Sequence, residues 1–225
     1  MTPGRNKLPL PGWILFDLDG TLTDSSPGII NSVVYALKKM GVEPPARESL
    51  FSFIGPPLKQ SFRRRYGFDE MQCDAAVRYY REYFAAGGLF ENAVYPGIPE
   101  ALRRLRDAGK KLCVATSKPE LFSLQIVEHF GLSAYFEAVC GAAMDETRTE
   151  KAQVIRYALD RLGISPADCL MVGDREHDVL GAREAGNIPC LGALWGYGSR
   201  EELTAAGAAA LAETPEEMTA RILGR

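Results

Sequence analysis

The stretch Trp13-Ile14-Leu15-Phe16-Asp17-Leu18-Asp19-Gly20 joins four apolar residues to a pair of aspartates and a glycine. A short apolar run without alternating polar residues is typical of a strand that is buried on both faces. Gly20 favours a turn directly after this strand, so we expect Asp17 and Asp19 at its carboxyl end. Because parallel sheets bind ligands beyond the carboxyl ends of their strands, the two carboxylates are the first candidates for a functional site.

After Gly97, segments with helical spacing alternate with short apolar runs. The helical segments are 99–108, 120–130, 150–162 and 179–185, and the apolar runs are 111–116, 136–140, 169–172 and 188–191. This order predicts parallel βαβ units with right-handed connections. The expected fold class is α/β, with a Rossmann-like parallel sheet as the core and helices on both faces.

The chain between the first predicted strand and Gly97 has a different pattern. Apolar residues recur at helical spacing over 27–40, 58–66 and 70–85, and we find no convincing strand between Ser25 and Asn92. Small residues and prolines near 24–27 and 92–97 are typical of linkers. The sequence therefore predicts an α/β core domain formed by residues 1–24 and 95–225, interrupted by a helical domain of residues 25–94.

Composition excludes several classes of protein. The net charge of −3 offers no basic face for a nucleic acid polymer, and no run approaches the length of apolar sequence that a membrane span requires. The five cysteines are dispersed and form no CxxC pair, which indicates reduced thiols rather than a disulfide frame or a zinc site. Without an apparent signal peptide, the expected location is cytoplasmic. The sequence does not decide between a monomer and a homodimer.

Polar residues close three of the predicted strands and would meet at one edge of the sheet. Asp17 and Asp19 could act as a nucleophile and a proton shuttle. Thr116 ends a second apolar run, where a hydroxyl and a backbone N–H at an expected helix start would suit a phosphate. Asp174 and Asp178 follow a third run, and their oxygens suit Mg²⁺.

Each of these signals also has an ordinary structural explanation. Aspartate and glycine are common in turns, so Asp17-Leu18-Asp19-Gly20 could be a plain turn after a strand. Thr116 could be a helix N-cap, and Asp174 with Asp178 could cap a helix. Lys151, in the first turn of a predicted helix, could be a solvated lysine. These alternatives stay open when each signal is considered alone.

Taken in order, the same residues resemble a known superfamily. The run Phe16-Asp17-Leu18-Asp19-Gly20-Thr21-Leu22-Thr23-Asp24-Ser25 resembles the first motif of the haloacid dehalogenase-like hydrolases. Thr116, Lys151 and the segment 173–178 fall at the second, third and fourth motifs. The resemblance extends from Trp13 to at least Trp195, and the helical insertion is similar to the family's small α-helical cap. Within the superfamily, the sequence resembles bacterial phosphoglycolate phosphatases and the 5′-nucleotidase-like group.

The resemblance implies a Mg²⁺-dependent phosphatase that acts on a small-molecule phosphate ester. Asp17 would be the nucleophile that forms an aspartyl phosphate, and Asp19 would be the general acid and base. Asp17, the backbone carbonyl of Asp19, and Asp174 would hold Mg²⁺, with Asp178 holding it directly or through water. Lys151 and Thr116 would complete the catalytic set. The residues expected to contact phosphate or substrate are Leu18, Gly20, Ser117, Lys118, Gly55 and Arg63.

Two other functions would use a similar set of residues. A sugar phosphomutase of the β-phosphoglucomutase type shares the core and the cap, but it carries a histidine twelve residues beyond its nucleophile, where this chain has Ile29. A receiver-like phospho-aspartate switch would need neither the helical insertion nor the second acid at Asp19. The substrate stays open among phosphoglycolate, nucleoside monophosphates, sugar phosphates and pyrophosphate.

Overall fold

The computed structural model describes residues 10–145 and 147–224. The chain divides into two compact units, one formed by Met1–Leu22 with Val94–Arg225 and the other by Thr23–Ala93. We refer to them as the α/β unit and the helical unit. The strands are β1 (Trp13–Phe16), β2 (Thr23–Asp24), β3 (Ala93–Val94), β4 (Lys111–Pro119), β5 (Ala138–Ala142), β6 (Cys169–Gly173), β7 (Cys190–Ala193) and β8 (Ala210–Ala212).

The helical unit carries the first three α-helices, and the α/β unit carries the others. The helices are α1 (Ser26–Lys39), α2 (Leu58–Tyr66), α3 (Glu70–Ala85), α4 (Ile98–Asp107), α5 (Glu120–His129), α6 (Lys151–Leu162), α7 (Glu176–Gly186), α8 (Arg200–Ala206) and α9 (Pro215–Ile222). Within the helical unit, α1 packs against α3, and a 3₁₀ segment at Arg47–Phe53 precedes α2. Asp69 and Gln72 form a capping box that starts α3.

The α/β unit is built on a six-stranded parallel sheet with the order β5-β4-β1-β6-β7-β8. β1 lies in the middle, with Phe16 opposite Val114 of β4 and Val172 of β6. All four of its side chains are buried, as the uninterrupted apolar run predicts for a central strand. The predicted α/β fold class with a Rossmann-like parallel sheet is confirmed.

Helices cover both faces of this sheet. On one face, side chains of α6, α7 and α8 pack with strand residues such as Leu15, Cys113 and Met171. On the other, α4 packs against β4 and α9. Successive strand residues point to opposite faces, so Ile14 and Phe16 point to the face opposite Leu15.

All five cysteines are free and buried, and burial raises the pKa of the Cys169 thiol to about 12.

Several element boundaries differ from the predicted ones. β5 begins at Ala138 rather than at residue 136 and continues through Gly141 and Ala142, while α7 begins at Glu176 rather than at residue 179. The sequence pattern did not predict α8, β8 or α9. The alanines of β8 favour a helix when taken alone, but pairing with β7 at the edge of the sheet holds them in a strand.

Among the described residues, no helix combines the length and the apolar character that crossing a bilayer would require.

Candidate active site

The carboxyl ends of β1, β4 and β6 lie side by side in the sheet. The amide of Asp17 donates to the carbonyl of Val172 at 2.9 Å, so the β1–β6 pairing continues one residue beyond β1. Asp174 follows β6 directly, and Thr116 lies near the end of β4. The parallel register therefore brings to one edge three of the positions that the sequence analysis had singled out.

A turn follows Asp17 at the end of β1, and Asp19 lies within it. The carbonyl of Leu18 accepts hydrogen bonds from the amides of Thr21 at 3.3 Å and Leu22 at 2.9 Å. Gly20 has a φ of +84°, and a Cβ at this position would lie 2.2 Å from Oδ2 of Asp174. The site therefore requires glycine here for its backbone conformation and for its close approach to Asp174.

Lys151 is the buried cation of the site. Its ammonium lies 2.8 Å from Oδ1 of Asp17 and 2.7 Å from Oδ1 of Asp178, and it donates to the carbonyl of Ala115 at 3.1 Å. Burial acts to lower the pKa of Lys151, but the two carboxylates outweigh it and hold the pKa above its ordinary value. The solvated lysine considered in the sequence analysis is therefore excluded.

Asp17, Asp174 and Asp178 form a buried acidic cluster. Each offers a carboxylate oxygen, and these oxygens lie within 4.8 Å of one another. Burial, followed by the charges of Asp178 and Asp17, raises the pKa of Asp174 well above its ordinary value. Burial is also the main cause that raises the pKa of Asp178, against the opposing charge of Lys151. The three carboxylates thus repel one another in an environment that lacks water to screen them.

Asp19 and Lys118 form a second charged pair. The Lys118 ammonium lies 2.7 Å from Oδ1 and 2.8 Å from Oδ2 of Asp19, and both side chains are largely buried. Lys118 was predicted from the sequence to contact phosphate or substrate. Its contact with Asp19 was not predicted, because the two residues are 99 positions apart.

Thr116 does not lie at the start of a helix. β4 continues to Pro119 with a register shift after Ala115, and α5 begins only at Glu120. The expected helix start at Thr116 was therefore wrong, and with it the N-cap alternative. Its hydroxyl instead accepts the amide of Lys118 at 3.3 Å, next to the half-buried Ser117.

The remaining predicted contact residues are divided between the two units. Leu18 and Gly20 form the turn beside Asp17, with the Leu18 side chain fully buried, so that only its backbone could contact a ligand. Gly55 and Arg63 belong to the helical unit, where Gly55 precedes α2 with a φ of +103° and Arg63 pairs with Glu70. Their roles stay predictions.

The loop Trp195–Gly198, which follows β7, was missed as part of the site. The amide of Tyr197 donates to Oδ2 of Asp174 at 2.8 Å, and the indole N–H of Trp195 donates to the carbonyl of Thr21 at 3.0 Å. A signal was present, since these residues follow another apolar run and its carboxyl end lies at the same edge of the sheet.

Comparison with known proteins places this site in a family. Residues 14–192 match the family described as haloacid dehalogenase-like hydrolase. A 5′-nucleotidase of Pseudomonas aeruginosa is 50% identical over 85% of this chain and 86% of its own length. A tyrosine-protein kinase of Mycobacterium tuberculosis, PtkA, is 40% identical over 88% of this chain and 65% of its own. Relatives named phosphoglycolate phosphatase are 29% to 33% identical.

A solved structure of another protein has the same fold. The crystal structure of a predicted phosphatase from Clostridium acetobutylicum has a TM-score of 0.93 and 48% identity, covering 96% of this chain and all of that one. The resemblance inferred from the four motifs is thereby confirmed, with the family match covering residues 14–192. The chain belongs to the haloacid dehalogenase-like hydrolase family, as one of its phosphatases.

Proposed function

We propose that the protein is a Mg²⁺-dependent phosphatase that hydrolyses a small phosphate monoester through a phospho-aspartate at Asp17. The observation that carries the proposal is the surroundings of Asp17 at the carboxyl edge of the sheet. Its carboxylate lies 2.8 Å from the Lys151 ammonium and beside the carboxylates of Asp174 and Asp178. A buried nucleophile with a fixed cation next to it suits phosphoryl transfer, in which catalysis depends on positioning and charge neutralisation.

The proposed hydrolysis has two steps, the formation and the breakdown of an aspartyl phosphate. In the first, a carboxylate oxygen of Asp17 bonds to phosphorus, the ester P–O bond breaks, and protonated Asp19 gives its proton to the departing alkoxide. In the second, Asp19 takes a proton from water, whose oxygen bonds to phosphorus as the bond to Asp17 breaks. Inorganic phosphate leaves, and Asp19 is protonated again. Asp17 pairs with Lys151 and Asp19 pairs with Lys118, and these different partners suit separate tasks for the two carboxylates.

The residues of the α/β unit fit a hard divalent cation. The four aspartates of the site carry four negative charges when ionised, and Lys118 and Lys151 supply two positive ones. The clustered donors are carboxylate oxygens, which Mg²⁺ prefers to sulfur or imidazole ligands. When bound, Mg²⁺ supplies charge neutralisation between the nucleophile and the phosphate. Asp17, Asp174 and the carbonyl of Asp19 are proposed to hold it, with Asp178 holding it directly or through water. Asp178 also pairs with Lys151, at 2.7 Å.

The proposed substrate is a nucleoside 5′-monophosphate or a small phosphorylated acid such as phosphoglycolate. The 50% identity to a 5′-nucleotidase supports the former, and the relatives named phosphoglycolate phosphatase support the latter. The helical unit is proposed to act as the cap that selects among such esters. Gly55, Arg63 and Ser117 are the residues we propose to contact the substrate, while Lys118 is proposed to hold Asp19, which it contacts at 2.7 and 2.8 Å.

Phosphate release from a panel of phosphomonoesters tests this function. We expect release with Mg²⁺, none after EDTA treatment, and recovery when Mg²⁺ is added back. Asp174→Ala should raise the Mg²⁺ concentration needed for half-maximal rate. A phospho-enzyme trapped by rapid acid quench should be absent in Asp17→Asn. Full activity in chelator would contradict the metal requirement, and transfer from ATP to protein tyrosine without ester hydrolysis would contradict the phosphatase proposal.

A further inference from the structure

The loop Trp195–Gly198, called here the β7 loop, lies beyond residues 14–192, over which the chain matches the family. It nevertheless lies directly against the acidic cluster. A Cβ on Gly196 would be 2.3 Å from the carbonyl oxygen of Gly20 and 2.4 Å from Cβ of Asp174. A Cβ on Gly198 would be 1.9 Å from the carbonyl oxygen of Asp174. Its two glycines therefore allow the backbone to contact both Asp174 and the turn after β1.

Hydrogen bonds link this loop to Asp174 by two routes. In the direct route, the amide of Tyr197 donates to Oδ2 of Asp174 at 2.8 Å. In the indirect route, the indole N–H of Trp195 donates to the carbonyl of Thr21 at 3.0 Å, and the Thr21 hydroxyl donates to Oδ1 of Asp174 at 3.2 Å. Thr21 and Asp174 are both fully buried, so water is not available to replace these donors.

These contacts fix the orientation of the Asp174 carboxylate. An ionised carboxylate has about four lone-pair positions, and one donor on each oxygen leaves the others free for a further partner. A carboxylate oxygen of Asp174 lies within 4.8 Å of carboxylate oxygens of Asp17 and Asp178. Without donors behind it, repulsion from these neighbours would favour rotation of Asp174 away from them.

We propose that Thr21 and Trp195 are positioning residues that hold Asp174 in its cation-binding orientation, so that the β7 loop sets the affinity of the site for Mg²⁺. The inference rests on the proposed function, because it assumes that the acidic cluster binds Mg²⁺. Neither side chain ligates the ion. Residues that orient metal ligands typically change metal affinity by about 10–100-fold when their hydrogen bonds are removed.

Titration of the metal-free protein with MgCl₂ by isothermal calorimetry tests the inference without an activity assay. Thr21→Val keeps the shape of the side chain and removes the hydroxyl, and Trp195→Phe removes the indole N–H. Each should weaken Mg²⁺ binding by about 10–100-fold. Thr21→Ser restores a hydroxyl and should bind nearly as tightly as the wild type. A smaller rise in unfolding temperature on adding Mg²⁺ should accompany the weaker binding.

Matched controls separate this role from a general loss of packing. Thr219→Val removes another buried hydroxyl, which bonds to the carbonyl of Pro215 in α9, and Trp13→Phe changes the tryptophan at the amino end of β1. Both should bind Mg²⁺ like the wild type. Equal Mg²⁺ affinity in the wild type, Thr21→Val and Trp195→Phe would overturn the positioning role of Thr21 and Trp195 and would leave the proposed metal requirement intact. No Mg²⁺ binding by the wild type would overturn both this inference and the proposed metal requirement.

Discussion

The buried ion pairs of the site in the α/β unit differ from the exposed ion pair on α2 of the helical unit. In the α/β unit, the lysine side chains that pair with Asp17 and Asp19 are only 5% exposed. In the helical unit, Arg63 pairs with Glu70 while 55% of its side chain is exposed. Buried pairs are strongly coupled because few water molecules screen them, whereas exposed pairs contribute little to stability. Removing one charge of a buried pair therefore leaves its partner buried and unpaired, whereas removing an exposed charge such as that of Arg63 costs little stability.

This difference suggests a division of labour between the units. The proposed chemistry needs charges that stay in place while phosphate is transferred, and burial in the sheet edge fixes them. The proposed selection of substrate needs residues that can change without loss of the fold, and the exposed face of α2 provides such positions. The predictions below test this contrast, beginning with the largest expected effect.

Asp17→Asn should lower turnover by about 10⁴-fold or more, because the neutral amide removes the nucleophile while keeping its shape. The fold should survive, since Lys151 keeps its contact with Asp178. Phosphate release and circular dichroism measure the two effects. Asp107→Asn, at an exposed aspartate paired with Arg103 on α4, is the control and should behave like the wild type. Near wild-type turnover in Asp17→Asn would exclude the proposed mechanism.

Lys151→Met should abolish activity and lower the free energy of unfolding of the metal-free protein by about 3 kcal/mol, because it leaves Asp17 and Asp178 buried without their cation. Lys59→Met is the matched change in the helical unit, where Lys59 pairs with the exposed carboxylates of Asp74 and Glu70. It should cost less than about 1 kcal/mol. Urea unfolding of both variants measures the contrast, and equal losses would contradict it.

Lys118→Met should lower kcat by about 10-fold or more for alkyl phosphates, because Asp19 loses the ammonium that holds it in place for proton transfer. The effect should be smaller for p-nitrophenyl phosphate, whose leaving group needs little protonation. Lys110→Met, which removes a hydrogen bond to the carbonyl of Pro11, is the control. A rise in KM for every substrate with unchanged kcat would instead support the phosphate-binding role predicted from sequence.

Arg63→Ala should change stability by less than about 1 kcal/mol, since its partner Glu70 is also exposed. It should reorder kcat/KM across the panel of phosphomonoesters by several-fold and leave the Mg²⁺ dependence unchanged. Arg78→Ala, on the neighbouring α3, is the control. A uniform decrease for all substrates would count against the helical unit as the selecting element.

The sequence alone was sufficient to predict the α/β fold class with its parallel sheet, and it singled out the aspartates that the structure brings together. An apolar run closed by Asp17 and Asp19 indicates a buried strand with polar residues at its end, because burial on both faces excludes polar side chains from the run. Helical spacing located α2 and α3 at the bounds that the structure has. Such patterns are local, since they reflect which face of each element avoids water.

The tertiary structure decided which residues meet. Lys118 bonds to Asp19 across 99 positions, and Trp195 bonds to Thr21 across 174. The apolar run before Trp195 indicates only that its loop lies at this edge of the sheet, and no local pattern predicts either contact, because the register of the parallel sheet determines which strand ends lie together. The alanine-rich β8 is a strand for a similar reason. Pairing with β7 satisfies the backbone hydrogen-bonding groups of β8 and outweighs a helix preference of roughly a few tenths of a kcal/mol per residue. Only the assembled sheet therefore decides the conformation of this segment.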